Sequence, residues 1–335
     1  MNIGFRVDSS SKIGTGHLHR CITLAKLFKK KGIRSFFFSR NEAGNVNSKI
    51  KKYGFELKKI SSNKRDLANE LDIIKNYIIS LNINFVFIDN YSIKPSWEKK
   101  ISQYSKIVLI DDFLTRKTYC DYYINYHLVE GIENKKFFVK KNCVKFLGPK
   151  YSIIKELRMK KKNSFKKRDI LVFMGGVDNT NVTLKLISLL SLKKFDNFSI
   201  CIIIGKKNKK KEEIKKRVNK FKNFSILIGN YENLYNFFNE SKLCIVNAGV
   251  TMYETLIVGK QILIIPQSNL HKKILKNYNK LNMFDYIDDI KKLKIEKIIE
   301  LTSKKVNKKI LQKRKTFFDD KGASRIVKYF VDIIK

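Results

Sequence analysis

The stretch Asn2-Ile-Gly-Phe-Arg-Val-Asp-Ser-Ser-Ser-Lys-Ile-Gly-Thr-Gly-His17 decides the fold. Its apolar run Ile3–Val7 reads as a buried strand, the polar loop after it carries two glycines, and a helix follows from near Leu18. A strand that passes through a glycine loop into a helix is the first half of a βαβ unit. Short apolar runs then recur at Ile33–Phe38, Phe85–Ile88 and Ile107–Ile110, and again at Ile170–Met174, Ile200–Ile204, Phe224–Ile228, Leu243–Val246 and Ile262–Ile265. Such runs do not alternate, as expected of parallel strands covered by helices on both faces. Between them, segments such as Cys21–Lys31 set Leu24, Ala25, Leu27 and Phe28 on one side of a helix and basic residues on the other. Two strand–helix series predict an α/β chain of two doubly wound domains. The stretch Arg158–Arg168 (Arg-Met-Lys-Lys-Lys-Asn-Ser-Phe-Lys-Lys-Arg) offers little to a core and separates the two series. The expected boundaries are therefore 1–157, a linker over 158–168, and 169–335. Ile326, Val327, Phe330, Ile333 and Ile334 recur at helical spacing, which predicts a C-terminal helix over Ala323–Lys335.

Composition narrows the function classes. The 335 residues suit about two domains, and 43% hydrophobic content with 24 Phe and 15 Tyr excludes a disordered chain. No apolar run approaches the roughly 18 residues that span a bilayer, and no basic and apolar leader opens the sequence, so neither membrane insertion nor secretion is expected. Five widely spaced cysteines (Cys21, Cys120, Cys143, Cys201, Cys244) without a C-x-x-C pair argue against a disulfide framework and for a reducing cytoplasm. The balance of 71 Lys+Arg against 30 Asp+Glu gives +41, yet the cations are spread along the chain and not interleaved with aromatics as a base-stacking platform would be. Only five alanines accompany abundant Ile, Asn and Phe, so the lysines read as a compositional bias on a solvated surface. Nucleic acid is not an expected partner; a small anionic substrate is favoured.

Ligands of open α/β sheets bind at the carboxyl ends of the strands, so the loops after each run carry the chemistry. In the first, Gly14 and Gly16 let the backbone approach a ligand and His17 stands at the helix start, aimed at the space between the domains. A histidine in that position, beside a serine-rich loop, reads as a general base. The loop is neither a dinucleotide fingerprint nor a Walker A loop. After the third run, Asp89-Asn90-Tyr91 sets a carboxylate, an amide and a phenol at the same rim; after the fourth, Asp111 and Asp112 face opposite ways, one of them a turn cap. In the second half, Gly175-Gly176 forms a turn before a helix cap, suited to a phosphate, and Asn247–Glu254 opens another helix. Glu254 lies one turn inside, where a carboxylate suits either ribose hydroxyls or the helix dipole. The four histidines (17, 19, 127 and 271) form no metal motif, and neither metal nor cofactor is expected.

Taken in order, Arg6-Val-Asp-Ser-Ser with Ile13-Gly-Thr-Gly-His17, Ile88-Asp-Asn-Tyr91, Ile110-Asp-Asp112, Cys120-Asp121 with Ile124-Asn125, Leu147-Gly-Pro-Lys-Tyr151, Met174-Gly-Gly-Val-Asp178, Ala248–Glu254 and Asp320-Lys-Gly-Ala-Ser-Arg325 resemble the UDP-2,4-diacetamido-2,4,6-trideoxy-β-L-altropyranose hydrolases of pseudaminic acid biosynthesis. The resemblance runs through nearly the whole chain. It implies a GT-B fold, two doubly wound Rossmann-like domains facing across a cleft, similar to the peptidoglycan N-acetylglucosaminyltransferase, with a UDP-sugar as the small-molecule partner. It implies that His17 activates water for inverting attack at the anomeric carbon, with Asp89 and Tyr91 beside it. It further implies that Gly14, Gly16, Asn90, Gly175, Gly176, Gly249, Val250, Thr251, Glu254 and Asn269 bind substrate, UDP chiefly in the C-terminal half. The sequence departs from the family at Asn90, where a histidine is common, and at Leu270 in Asn269-Leu270-His271. A glycosyltransferase using a UDP-sugar donor and a non-catalytic nucleotide-sugar-binding protein are the alternative readings.

Overall fold

The computed structural model describes residues 1–60, 67–112, 117–128, 137–156, 167–206, 208–229 and 234–333. The chain divides into two compact units, Met1–Lys155 with Lys321–Lys335, and Glu156–Asp320.

In the first unit the order is β1 (Asn2–Val7), α1 (Gly16–Lys29), β2 (Arg34–Arg40), α2 (Ser48–Lys52), β3 (Glu56–Ile60), α3 (Leu67–Ser80), β4 (Ile83–Asp89), α4 (Pro95–Ile101), β5 (Lys106–Ile110), β6 (Tyr122–Asn125) and β7 (Val144–Leu147). All pairings are parallel and the strand order is β3-β2-β1-β4-β5-β6-β7. The chain thus winds outward from β1 through β2 and β3, then crosses to β4 on the other side of β1. That reversal is a topological switch point, where two neighbouring loops part and leave a crevice. Val7 of β1 is level with Asp89 of β4, so Asp8 and Asn90 leave the sheet side by side.

The second unit repeats the plan: β8 (Arg168–Phe173), α5 (Val182–Leu190), β9 (Ile200–Ile204), α6 (Lys211–Val218), β10 (Phe224–Ile228), α7 (Tyr235–Asn239), β11 (Ser241–Asn247), α8 (Val250–Val258), β12 (Gln261–Ile265), α9 (Asn269–Asn279), β13 (Asp285–Tyr286), α10 (Ile295–Ser303) and α11 (Lys308–Phe317). Its parallel sheet runs β10-β9-β8-β11-β12-β13, with the switch point between β8 and β11. Ile170, Val172, Ile202, Ile204, Ile245 and Leu263 on one face are buried among Leu186, Leu190 and Ile298 of the flanking helices, and Leu171, Ile203, Val246 and Ile264 on the other face are buried as well, as continuous apolar strands require.

One boundary is corrected. The last helix, α12 (Gly322–Asp332), belongs to the first unit, so the expected domain over 169–335 ends at Asp320. Aromatic packing explains the return. Phe330 is fully buried, with its ring 5.1 Å from both Phe85 and Phe87 and 4.9 Å from Tyr122. Burying such a ring stabilises by about 1.5–3 kcal/mol. At the helix start Gly322 lies so close to Ser152 that a Cβ would fall 2.6 Å from that residue's nitrogen, and Arg325 Nη1 donates to the Lys150 carbonyl at 2.8 Å. Of the expected linker, residues 158–166 lie outside the described residues, and Arg168 already opens β8. Among the described residues no helix is long and apolar enough to cross a membrane.

Candidate active site

The loop after β1 is closed on itself before it reaches the helix. Gly14 and Ser10 exchange backbone hydrogen bonds, and Ser10 Oγ accepts from the Lys12 and Ile13 amides. Gly14 sits at φ +88°, a conformation that favours glycine. The loop after β2 braces it: the Ser11 amide donates to the Ala43 carbonyl, and a Cβ on Gly44 would meet Ser11 at 2.9 Å. Gly16 and His17 then start α1, the ring of His17 partly exposed and that of neighbouring His19 turned to solvent beside Lys49.

His17, Asp89 and Tyr91 come together, as expected, and three elements add to them. His17 Nδ1 lies 2.7 Å from Asp89 Oδ1. Arg20, one turn along α1 and buried, grips the same carboxylate with Nε at 2.5 Å and Nη2 at 2.6 Å. Its Nη1 reaches Asp112 Oδ1 at 2.8 Å and the Tyr126 hydroxyl at 2.6 Å. Asp112 also meets His127 Nε2 at 3.2 Å through Oδ1 and accepts from the Tyr91 hydroxyl through Oδ2. Tyr91 sets its ring edge-on to His17, centroids 4.8 Å apart.

The electrostatics assign the protons. Burial pushes the Asp89 carboxyl upward, but Arg20 and then His17 overcome it and hold Asp89 below the usual carboxylate range. Asp112 is held lower still, burial being outweighed by Arg20 and His127. An ionised carboxylate only accepts, so the 2.7 Å contact calls for a proton on His17 Nδ1. In the neutral ring that tautomer leaves the lone pair on Nε2. Arg20 Nη2 lies 3.1 Å from Nδ1 because both nitrogens donate to one oxygen, Asp89 Oδ1. Burial and the Asp112 charge raise the Tyr91 phenol well above its ordinary range, so it stays a neutral donor.

Asn90 is turned the other way. Its amide donates to Asp8 Oδ2 at 2.7 Å and its carbonyl accepts from the Ser92 amide, so both ends are engaged within the fold. Asp8 in turn is tied to Arg6 at 2.8 Å, and Arg6 and Arg40 share Glu70 beneath the loop.

In the second unit, Gly175-Gly176 after β8 and Gly249-Val250-Thr251 after β11 flank the switch point. Asn247 lies between them: its amide nitrogen would be 3.2 Å from a Cβ on Gly175 and 3.3 Å from one on Gly249. Its buried Oδ1 has no hydrogen-bond partner among the described residues. Asp178, at φ +48°, accepts from the Val182 and Thr183 amides and from Gln267 Nε2, which caps α5 and ties the turn to β12. Gly249 caps α8 without a side-chain hydrogen bond; Glu254 is half-buried on that helix, and Asn269 is exposed at the start of α9. Gly205, which sequence reasoning passed over, supports the turn from below: a Cβ there would sit 2.8 Å from the Gly176 Cα and closer still to its carbonyl oxygen. Gly205→Ala is expected to destabilise the second unit by about 1–3 kcal/mol through overpacking against backbone. An unchanged melting temperature would show that the turn yields freely.

No family model matches the chain. An uncharacterised protein of Methanocaldococcus jannaschii is 29% identical over 294 residues, 84% of this chain but 58% of that protein, so the chain spans little more than half of that relative. The UDP-2,4-diacetamido-2,4,6-trideoxy-β-L-altropyranose hydrolase of Campylobacter jejuni is 28% identical over 262 residues, 77% of this chain and 89% of that one. Among solved structures, MurG of Acinetobacter baumannii superposes with a TM-score of 0.63 at 12% identity, covering 98% of each chain. The UDP-GlcNAc 2-epimerase of M. jannaschii, in complex with UDP-GlcNAc and UDP, gives 0.64 at 12% identity over 99% of each. The fold is of the GT-B type.

In a GT-B chain, the residues that sequence reasoning missed are those that hold His17. Arg20 was hidden among the basic residues of α1, although it lies three positions from His17 and therefore on the same face. Of two buried acids, Asp89 ends β4 and Asp112 lies two residues beyond the adjacent strand β5, and a buried pair of that kind requires a cation. That requirement was the available signal for Arg20. Asp111 does part from Asp112, accepting instead from the Tyr123 hydroxyl at 2.9 Å. Among the described residues no cluster of three His, Cys, Asp or Glu side chains is arranged to hold a metal ion.

Proposed function

We propose that the chain is a hydrolase that releases UDP from a nucleotide sugar of the 2,4-diacetamido-2,4,6-trideoxy-β-L-altropyranose type, a step of pseudaminic acid biosynthesis. The observation that carries this reading is His17 at a switch point with Nδ1 2.7 Å from the Asp89 carboxylate, a pairing that in the neutral ring leaves Nε2 as the basic nitrogen. The activity of the Campylobacter relative supports the substrate class. In the proposed step a water oxygen bonds to the anomeric carbon as the bond from that carbon to the β-phosphate oxygen breaks. The electron pair leaves with UDP, and the proton of the water passes to His17 Nε2 and later to solvent. Asp89 stabilises the imidazolium that forms, as the carboxylate of a catalytic triad does. Attack opposite the leaving group inverts the anomeric configuration.

For the diphosphate, the reading assigns the amides of Gly175, Gly176, Gly249, Val250 and Thr251, since an uncapped helix start and a glycine turn offer N–H groups to an anion. Glu254 takes the ribose, Asn269 a further polar contact, and the buried Asn247 Oδ1 is open to a donor from the ligand. An imidazole base needs no metal, and five free cysteines with a soluble nucleotide substrate fit a cytoplasmic enzyme.

The test is incubation with a panel of UDP-sugars in H₂¹⁸O with EDTA and no acceptor. UDP and free sugar are expected, with the heavy oxygen in the sugar. Label in UDP would move the attack to phosphorus; loss of turnover on chelation would require a metal. A glycosyltransferase of this fold would release UDP only when an acceptor is added, and no turnover of any UDP-sugar under either condition would overturn the reading.

A further inference from the structure

We infer that Asp112 is a positioning residue for the His17 base; its activity readout rests on the hydrolase reading, its spectroscopic readout does not. Asp112 does not touch His17, yet it holds both groups that flank the imidazole. Through Oδ1 it fixes Arg20 Nη1 at 2.8 Å, and Arg20 presents its Nε and Nη2 edge to Asp89, the partner of His17 Nδ1. Through Oδ2 it accepts from the hydroxyl of Tyr91, whose ring edge meets the His17 ring. Tyr91 is 40% exposed as a residue while Asp112 is nearly buried, so the carboxylate anchors an otherwise solvent-facing wall of the site. A guanidinium gripped by one carboxylate alone keeps freedom to pivot; a second carboxylate on Nη1 removes it.

Charge gives the same answer. The groups around His17 are Arg20 from α1 and Asp89 and Tyr91 from β4 and its following loop, with the Cys21 thiol on the far oxygen of Asp89 and Asp112, Tyr126 and His127 behind. One guanidinium against two carboxylates gives Arg20, Asp89 and Asp112 together a net charge of minus one. A proton taken from water brings the cluster to zero. Without the Asp112 charge the same proton takes it from zero to plus one, in a setting where burial penalises charge. The positioning role therefore acts on the step in which His17 gains a proton, and not on binding of the nucleotide.

Asp112→Asn keeps the shape and removes the charge. In the hydrolase assay it is expected to lower kcat about 10- to 100-fold, the usual cost of losing an outer partner, with KM moved by less than about threefold because the lost interaction belongs to the transition state. Asp112→Glu should recover part of the loss. Independently of any substrate, ¹⁵N-histidine NMR reads the tautomer of His17, its signal assigned by its absence in His17→Asn. The wild-type chain should show Nδ1–H, and Asp112→Asn a signal averaged between tautomers. Should Asp112→Asn fail to fold, Tyr91→Phe, which leaves every charge in place and removes one donor to Asp112, should shift the same signal in the same direction. If no UDP-sugar is hydrolysed by the wild type, the functional reading falls and the NMR comparison still decides this inference. A His17 signal that stays at Nδ1–H in the folded variant, or a kcat unchanged within about threefold, would overturn it.

Discussion

His17→Ala is expected to lower kcat for UDP release by about 10²–10⁴-fold, roughly 2.7–5.4 kcal/mol of barrier, while UDP affinity stays as it was. The size follows from the absence of a substitute nearby. Asp89 receives donors from His17, from two nitrogens of Arg20 and from the Cys21 thiol at 3.7 Å, so its oxygens have little left for a water proton. It is also held below the ordinary carboxylate range, which makes it a poor base. Tyr91 carries its proton through the whole neutral range and donates it to Asp112. Affinity for UDP is expected to survive because its proposed amide contacts lie in the other unit, at Gly175, Gly176 and the start of α8. His17→Asn should fare no better, since an amide carbonyl is too weak a base at pH 7. Measured kcat within about threefold of wild type would leave His17 as a structural partner of Asp89, and the base would have to come from the substrate.

The nine apolar runs read from the sequence correspond to β1, β2, β4, β5, β8, β9, β10, β11 and β12, most of them buried and all parallel in the structure. Four strands escaped notice: β6, a four-residue strand inside the sheet between β5 and β7, and three strands at the sheet edges. β3 reads Glu-Leu-Lys-Lys-Ile, β7 carries Lys145 and β13 has two residues, because an edge strand faces solvent and need not be apolar throughout. The site was legible to the extent that it sits at strand ends: His17, Asp89 and Tyr91 each follow an apolar run. Arg20 and His127 were not, since their roles depend on which strands become neighbours, and β4, β5 and β6 lie side by side only in the finished sheet. The return of α12 to the first unit escaped for a similar reason. Helical spacing shows that Phe330 belongs on an apolar face, but not which core receives it.

Arg20→Met is expected to destabilise the first unit by about 3–5 kcal/mol near pH 7.5, the usual consequence of stripping a buried ion network of one partner. For a unit of this size that is a drop of roughly 6–20 °C in the melting transition. Methionine fills much the same volume, so the loss is of charge more than of packing. Two carboxylates, Asp89 with no exposed side-chain surface and Asp112 with 9%, are left without their guanidinium. The pH dependence should reverse as well. In the wild type both carboxyls sit below their unfolded values near about 3.9, so their contribution is fully present above that pH and is lost only as pH falls through the folded values. In the variant, burial acts unopposed by Arg20, the folded chain holds protons more tightly than the unfolded one, and stability is lost as pH rises. Calorimetric scans of both proteins between pH 5 and pH 8 should therefore diverge with rising pH: the variant melts closest to wild type at the acid end and furthest at the alkaline end. Parallel curves over that range would mean that Arg20 contributes packing and orientation but not the neutralising charge that the geometry requires of it.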